Sequence, residues 1–152
     1  MGTPPQPIDV HIDTGSARLL LVSTNCSIDE CDMSTAFDQG ASSTYATEKQ
    51  GMSALFAGHS SYDGIWATDT VGVSGWALKD YPFGLIQSTS NESTAPSLMG
   101  LAWEDPDRKT YSPSYYWATD GTWAEPMFGV YLARPGFAGP NDNVNGSLLT
   151  FG

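Results

Sequence analysis

A short turn carrying one carboxylate and two hydroxyls, Asp13-Thr14-Gly15-Ser16, follows an alternating apolar segment that begins at Ile8. An aspartate at the end of such a segment, followed by glycine, places a carboxylate on a tight turn beside a core. The hydroxyls of Thr14 and Ser16 can bond to the loop or to the carboxylate. A carboxylate that is partly desolvated yet hydrogen-bonded suits acid–base chemistry. The tetrapeptide taken alone favours a simpler interpretation, an Asx turn that closes a hairpin.

Histidine offers a second kind of titratable group. His11 precedes Asp13 by two residues, so the two side chains share one face of a strand. His11 is thus either a pH-sensitive partner of Asp13 or a tolerated polar side chain, and the second is favoured. The other histidine, His59, is expected to be exposed at the tip of a hairpin.

The two cysteines, Cys26 and Cys31, predict either a small-loop disulfide or two free thiols. Three Asn-x-Ser sequons begin at Asn25, Asn91 and Asn145 and are candidate glycosylation sites. These sequons indicate passage through an oxidising compartment, so the disulfide and a secreted or vacuolar location are favoured.

No metal or cofactor is predicted. A zinc site needs four ligands, and only the two histidines could supplement the two cysteines. The acidic segment 104–107 contains a proline and is followed by Arg108 and Lys109, which favours a solvated loop over a cation site. The sequence also lacks a Gly-x-Ser-x-Gly elbow, a His-Glu-x-x-His motif and a glycine-rich phosphate loop.

The composition narrows the class of protein further. The 152 residues suffice for one domain, and the 15% of charged residues is well below the roughly 25% of typical domains. A net charge of −11 disfavours nucleic acids and anionic membranes as partners. There is no apolar run long enough to span a membrane, and the opening Met-Gly-Thr-Pro-Pro is typical of a loop and not of a signal peptide.

The elements expected to position these residues are mostly strands, since 16 glycines and 10 prolines imply many turns. Segment 98–103 is apolar and compact, and Trp103 is expected to be buried there. Segment 114–120 is expected to form a short helix after Pro113. Strands are predicted over residues 8–13, 19–22, 49–56, 64–73, 81–87, 128–132 and 147–151.

An ordered series of motifs resembles the N-terminal lobe of the pepsin-like aspartic proteases across nearly the whole chain. The series comprises an entry loop, the Asp-Thr-Gly-Ser turn, a cysteine-bounded segment and several short strand motifs. Its members lie at residues 2–7, 10–16, 23–31, 42–45, 64–71, 83–85, 98–102, 128–132 and 146–149.

The resemblance implies an all-β fold: one pepsin-like barrel lobe over residues 1–152, with one or two short helices, a β-hairpin flap and a Cys26–Cys31 disulfide. It implies peptide-bond hydrolysis by a water molecule held between two aspartates, of which Asp13 is the first. Thr14 and Gly15 would interlock with a twin loop, and Ser16 would bond to the Asp13 carboxylate. The substrate would be a peptide or protein, without a cofactor.

Two positions depart from the family pattern. Ala57 stands where the flap tyrosine is usual, and Leu20 replaces a tryptophan that bonds to that tyrosine. In a shifted register Phe56 or Tyr62 could cover the site instead. Ala57 and the backbone N–H groups of Gly58 and His59, together with His11, are the expected substrate-binding positions.

The second aspartate of the dyad is missing, because no other Asp in the chain is followed by Thr/Ser-Gly. The family's C-terminal lobe, which carries that aspartate, is absent from this chain. Three alternatives follow. The chain is a piece of a longer protease, or two copies pair as a homodimer, or the protein is an inactive pepsin-like binding protein.

Overall fold

The computed structural model describes residues 1–56, 60–90, 95–105, 110–133 and 147–152. The chain divides into two compact units, residues 1–114 and residues 115–152, which are described separately.

The first unit is built on a seven-stranded mixed sheet. Its main path runs in the order β1-β7-β2-β6-β5-β4, with β3 paired to β2. A separate two-stranded sheet joins β8 to β9, and 3₁₀ helices span Met33–Thr35 and Gln39–Ala41. The strands are β1 His11–Asp13, β2 Leu19–Ser23, β3 Ala36–Phe37, β4 Ala46–Leu55, β5 Ser61–Val73, β6 Trp76–Ser90, β7 Leu98–Gly100, β8 Glu104–Asp105 and β9 Thr110–Tyr111.

The predicted all-β class is confirmed. The apolar strand predicted over residues 19–22 forms β2, and all five residues of β2 are buried. The predicted strand over 8–13 is shorter in the structure, where β1 begins at His11. The strand predicted over 81–87 is longer, because β6 begins directly after a tight turn at Ser74 and Gly75. Both turn residues have positive φ, 51° and 93°, as two-residue hairpin turns of type I′ require.

A core cluster of this unit includes residues of the β4–β5 hairpin and the disulfide. Cys26 and Cys31 are bonded, as predicted, and both are buried. Their sulfur atoms fill core volume as apolar groups do. The cluster comprises Leu20, Val22, Cys26, Cys31, Met52, Ala54, Tyr62, Trp66, Ile86, Ala95 and Leu98.

The described part of the second unit contains a small aromatic cluster and a pair of antiparallel strands. The helix α1, Pro113–Thr119, crosses the boundary between the units, close to the predicted span of 114–120. Trp117 and Phe151 each contact the ring of Trp123, with centroids 6.3 and 4.8 Å away. Strands β10, Phe128–Tyr131, and β11, Leu148–Phe151, pair antiparallel.

The prediction that Trp103 is buried is wrong, since its side chain is 60% exposed. The strand β7 ends at Gly100, and Trp103 falls in the bend that follows. The apolar run therefore supplies buried side chains only up to Leu101. Within the described ranges, no helix is long and apolar enough to cross a membrane.

Gly64 provides a test of the packing between β5 and β6. A Cβ at Gly64 would overlap the Leu85 carbonyl and lie 3.1 Å from the Ile86 Cα. These are backbone atoms, so relief requires the strands to move apart. We expect Gly64→Ala to lower the free energy of unfolding by about 2–3 kcal/mol, measured by urea denaturation.

Gly51 is the matched control, because it lies on the neighbouring strand with nothing within 4 Å of its Cβ position. Gly51→Ala should leave stability unchanged or raise it by up to about 1 kcal/mol. Equal losses in the two variants would contradict the described packing.

Candidate active site

The Asp13 turn is held by strand β7, which lies between β1 and β2 in the sheet. β7 pairs parallel with β1, so that Asp13 lies opposite Gly100. The Leu101 N–H donates to the Asp13 carbonyl at 2.8 Å. On the other side of β7, Gly100 donates to the Arg18 carbonyl at 2.8 Å and Ala102 donates to the Ser16 carbonyl at 2.9 Å. The loop from Asp13 to Arg18 therefore wraps around β7 and is bonded to it at both ends.

This arrangement needs glycine at position 100. A Cβ there would lie 2.7 Å from both the Arg18 nitrogen and the Ser16 carbonyl carbon. Because these atoms belong to backbone that is itself paired, they cannot rotate away as a side chain would. Gly100 thus allows the close approach of chain segments that fixes the turn.

The Asp13 carboxylate is half-buried, and its Oδ1 accepts a hydrogen bond of 2.8 Å from the Gly15 N–H. This is the Asx-turn contact that the tetrapeptide favours, and it leaves the carboxylate partly accessible to solvent. Thr14 and Gly15 are exposed at the tip of the turn, and Ser16 is half-buried. The bond from the Ser16 hydroxyl to Asp13 stays a prediction.

His11 is exposed on β1, two residues before Asp13. Its backbone N–H donates to the Ser97 carbonyl at 2.8 Å. Hydrogen bonds from Ser34 lower the pKa of the Asp32 carboxyl, and the electrostatic interaction with His11 lowers it further. His11 therefore has an acidic neighbour in Asp32. Whether it also lines a substrate pocket stays a prediction.

The expected flap corresponds to the hairpin of β4 and β5. Its described end is closed by a 2.9 Å bond from the Phe56 N–H to the Ser60 carbonyl. The predicted binding residues Ala57, Gly58 and His59 lie outside the described residues. Tyr62 is 3% exposed and its ring lies 4.9 Å from that of Phe56, so it belongs to the core cluster.

Leu20, which replaces the expected tryptophan, is fully buried. Its Cδ2 lies against Gly84 on β6, where a Cβ would come within 2.6 Å of it. The Leu20 side chain thus packs in the core, and it offers no hydrogen-bond donor or acceptor.

Asp69, which is also followed by threonine, has a different environment from Asp13. It is 0% exposed, and its Oδ1 accepts bonds from the Thr44 hydroxyl at 2.5 Å and the Thr70 N–H at 2.7 Å. A side chain so enclosed ties together the loop at residue 44 and strand β5. Among the described residues, no group of three or more His, Cys, Asp or Glu side chains could hold a metal ion.

Of the three predicted glycosylation sites, Asn25 is exposed in the turn after β2, beside the buried Cys26. Asn91 and Asn145 lie outside the described residues. An exposed asparagine in a turn meets the steric requirement for modification, which stays a prediction.

Two residues that hold the turn, Gly100 and Arg18, were not singled out from the sequence. A signal for the first exists, since an isolated glycine within an apolar strand pattern indicates close backbone approach. No local pattern marks Arg18, because its partners are distant in the sequence.

Comparison with known proteins identifies the family of this chain. The family model described as eukaryotic aspartyl protease matches residues 1–152. The chain therefore belongs to the eukaryotic aspartyl protease family, with a pepsin-like lobe.

Several curated relatives match over the whole chain. Major aspartyl peptidase 1 of Cryptococcus neoformans is 33% identical, with 32% of its own length covered. Pepsin A of Suncus murinus and the probable vacuolar protease A of Trichophyton verrucosum are each 31% identical, with 38% of their lengths covered. The chain thus spans about a third of the length of the curated relatives it matches.

The enclosure of Gly100 generates a prediction about the turn. We expect Gly100→Ala to lower the free energy of unfolding by about 3 kcal/mol, because the added methyl meets the backbone of Ser16 and Arg18. Thermal unfolding measures the loss, and amide exchange should show faster exchange at Gly100 and Ala102.

Gly84→Ala is the matched control. Its nearest neighbours are the ends of the flexible Leu20 and Met52 side chains, at 2.6 and 2.9 Å. A cost of only about 1 kcal/mol is expected, since these side chains can rotate away. A smaller loss for Gly100→Ala than for Gly84→Ala would contradict the backbone contact.

Proposed function

We propose that this chain is the first catalytic lobe of an aspartic endopeptidase, with Asp13 as one of two catalytic carboxylates. The observation that carries the proposal is the Asp13 turn itself. A half-buried carboxylate lies on a turn that is bonded to β7 from both sides. Such a carboxylate is both fixed in position and accessible to water, which general acid–base catalysis requires.

The reaction needs a second carboxylate close to the first. Two such groups at about 3 Å share one proton, because they cannot both ionise. The ionised carboxylate takes a proton from a water molecule as the water oxygen attacks the scissile carbonyl carbon. The protonated carboxylate gives its proton to the carbonyl oxygen. The carboxyl that took the water proton then gives it to the amide nitrogen, the C–N bond breaks, and a hydroxyl of the tetrahedral intermediate returns a proton to the other carboxylate. The products are an amine and a carboxylic acid, and no covalent enzyme intermediate forms.

The second carboxylate would come from chain outside these residues. The relatives are about three times as long as this chain, which supports a longer protein with a second lobe over a homodimer. A homodimer of this chain would instead appear as a concentration-dependent dimer in sedimentation.

The substrate would be an extended peptide or protein segment. The backbone N–H groups expected at Gly58 and His59 would pair with the extended chain of such a substrate. The disulfide, the exposed Asn25 and relatives named as pepsin and vacuolar protease support a secreted or vacuolar location. Activity is expected at acidic pH, where the dyad holds its proton.

A non-catalytic, pepsin-like binding protein is the second candidate. It is favoured by Leu20, a fully buried hydrocarbon where the family pattern has a tryptophan, and by Ala57 in place of the flap tyrosine. Binding of a pepstatin-type inhibitor to the full-length protein distinguishes the two candidates. Tight binding indicates an intact dyad, whereas absence of binding indicates a defunct one.

The catalytic role of Asp13 is tested by Asp13→Asn in the full-length protein. The substitution removes the proton-accepting group while conserving the side-chain shape, so kcat should fall by about 10²–10⁴-fold with folding retained. Peptide cleavage at acidic pH measures the activity, and thermal unfolding checks the fold.

Asp9→Asn is the control, because Asp9 is an exposed carboxylate in the segment that leads into β1 and the Asp13 turn. It should retain full activity. Proteolysis by the Asp13 variant at the wild-type rate would refute the assignment.

A further inference from the structure

Arg18 closes the loop that carries Asp13. Its carbonyl accepts the hydrogen bond from Gly100, and Gly100 lies directly opposite Asp13 in the pairing of β1 with β7. The backbone of Arg18 is therefore fixed relative to that of Asp13 through one shared residue. A Cβ on Gly100 would contact the Arg18 nitrogen, which shows how closely the two segments are packed.

The side chain of Arg18 contacts the β4–β5 hairpin, whose far end is the expected flap. Its Nη1 donates to the Ser53 carbonyl on β4 at 3.3 Å. Its Cζ lies 5.9 Å from the centroid of the Trp66 ring on β5, within the range of a cation–π contact. One guanidinium thus contacts both strands of the hairpin.

The chemistry of arginine suits this contact. The guanidinium is planar, always charged and carries five donors, so it can stack on an indole and donate to a carbonyl at once. Trp66 is 6% exposed and belongs to the core cluster, so the ring is held in place by its neighbours. Arg18 is half-buried, which reduces the screening of its charge by water.

We propose that Arg18 is a positioning residue that couples the Asp13 loop to strands β4 and β5 and so restricts movement of the hairpin relative to the carboxylate. This inference rests on the proposed function, because it gives the hairpin the role of a substrate cover. Arg18 does not touch the reacting atoms. It acts through the backbone of Ser53 and the ring of Trp66.

The test compares Arg18→Met and Arg18→Lys in the full-length protein. Methionine keeps an unbranched chain without charge or donors, whereas lysine keeps the charge without the planar fork. Arg18→Met should raise amide exchange in the hairpin, at residues 52–55 and 61–65, about tenfold, which corresponds to about 1.4 kcal/mol. It should also raise KM for an extended peptide about tenfold and change kcat less. Arg18→Lys should restore part of both effects.

Lys79→Met is the control, since Lys79 is an exposed cation on β6. It should change neither hairpin exchange nor KM. Faster exchange spread evenly over residues 1–114 in Arg18→Met would show a general loss of stability and overturn the proposal. Unchanged exchange in the hairpin would also overturn it.

The exchange measurement needs no catalysis. If the wild-type protein cleaves no peptide, the proposed function fails, and hairpin exchange in Arg18→Met still decides whether Arg18 couples the two segments. If the protein cleaves peptides but Arg18→Met leaves hairpin exchange and KM unchanged, the coupling by Arg18 is refuted and the proposed function stands.

Discussion

The position of Asp13 depends on the close approach of two backbones at Gly100. β1 is three residues long, and β7, far along the chain, is the strand it pairs with. β7 also pairs with β2, so one short strand bonds to the chain on both sides of the turn. A three-residue strand has little stability by itself. The carboxylate is therefore placed by a long-range contact, and the local sequence of the turn supplies only its shape.

The sequence reveals the local features of this site well and the long-range ones poorly. The Asp-Thr-Gly-Ser turn, the buried β2 and the hairpin of β4 and β5 follow from patterns within a few residues. The insertion of β7 between β1 and β2 does not, since two strands adjacent in sequence are usually neighbours in a sheet. The error at Trp103 has the same origin. Its apolar neighbours predict burial, but the end of β7 at Gly100 is set by its partners.

Four aspartates are followed by threonine or glycine, and three of them show how the environment distinguishes identical side chains. Asp13 is half-buried on a turn, and Asp69 is completely enclosed and bonded to Thr44 and Thr70. Asp120 is exposed and accepts a bond from the Thr122 N–H, and hydrogen bonds with Thr122 lower the pKa of its carboxyl. Only the first combines fixed position with access to solvent.

The described contacts that hold the turn all lie within residues 1–114. They involve Gly15, Arg18 and the segment from Gly100 to Ala102. The described hydrogen bonds of the Asp13 turn are therefore made by residues of the first unit. Pairing of the carboxylate with a partner is a separate requirement, because a shared proton needs a second carboxylate a few ångströms away. In the proposed dyad, the placement of the first carboxylate is therefore separate from the supply of the second carboxylate. The described turn is therefore compatible both with the proposed protease and with the alternative of an inactive pepsin-like binding protein.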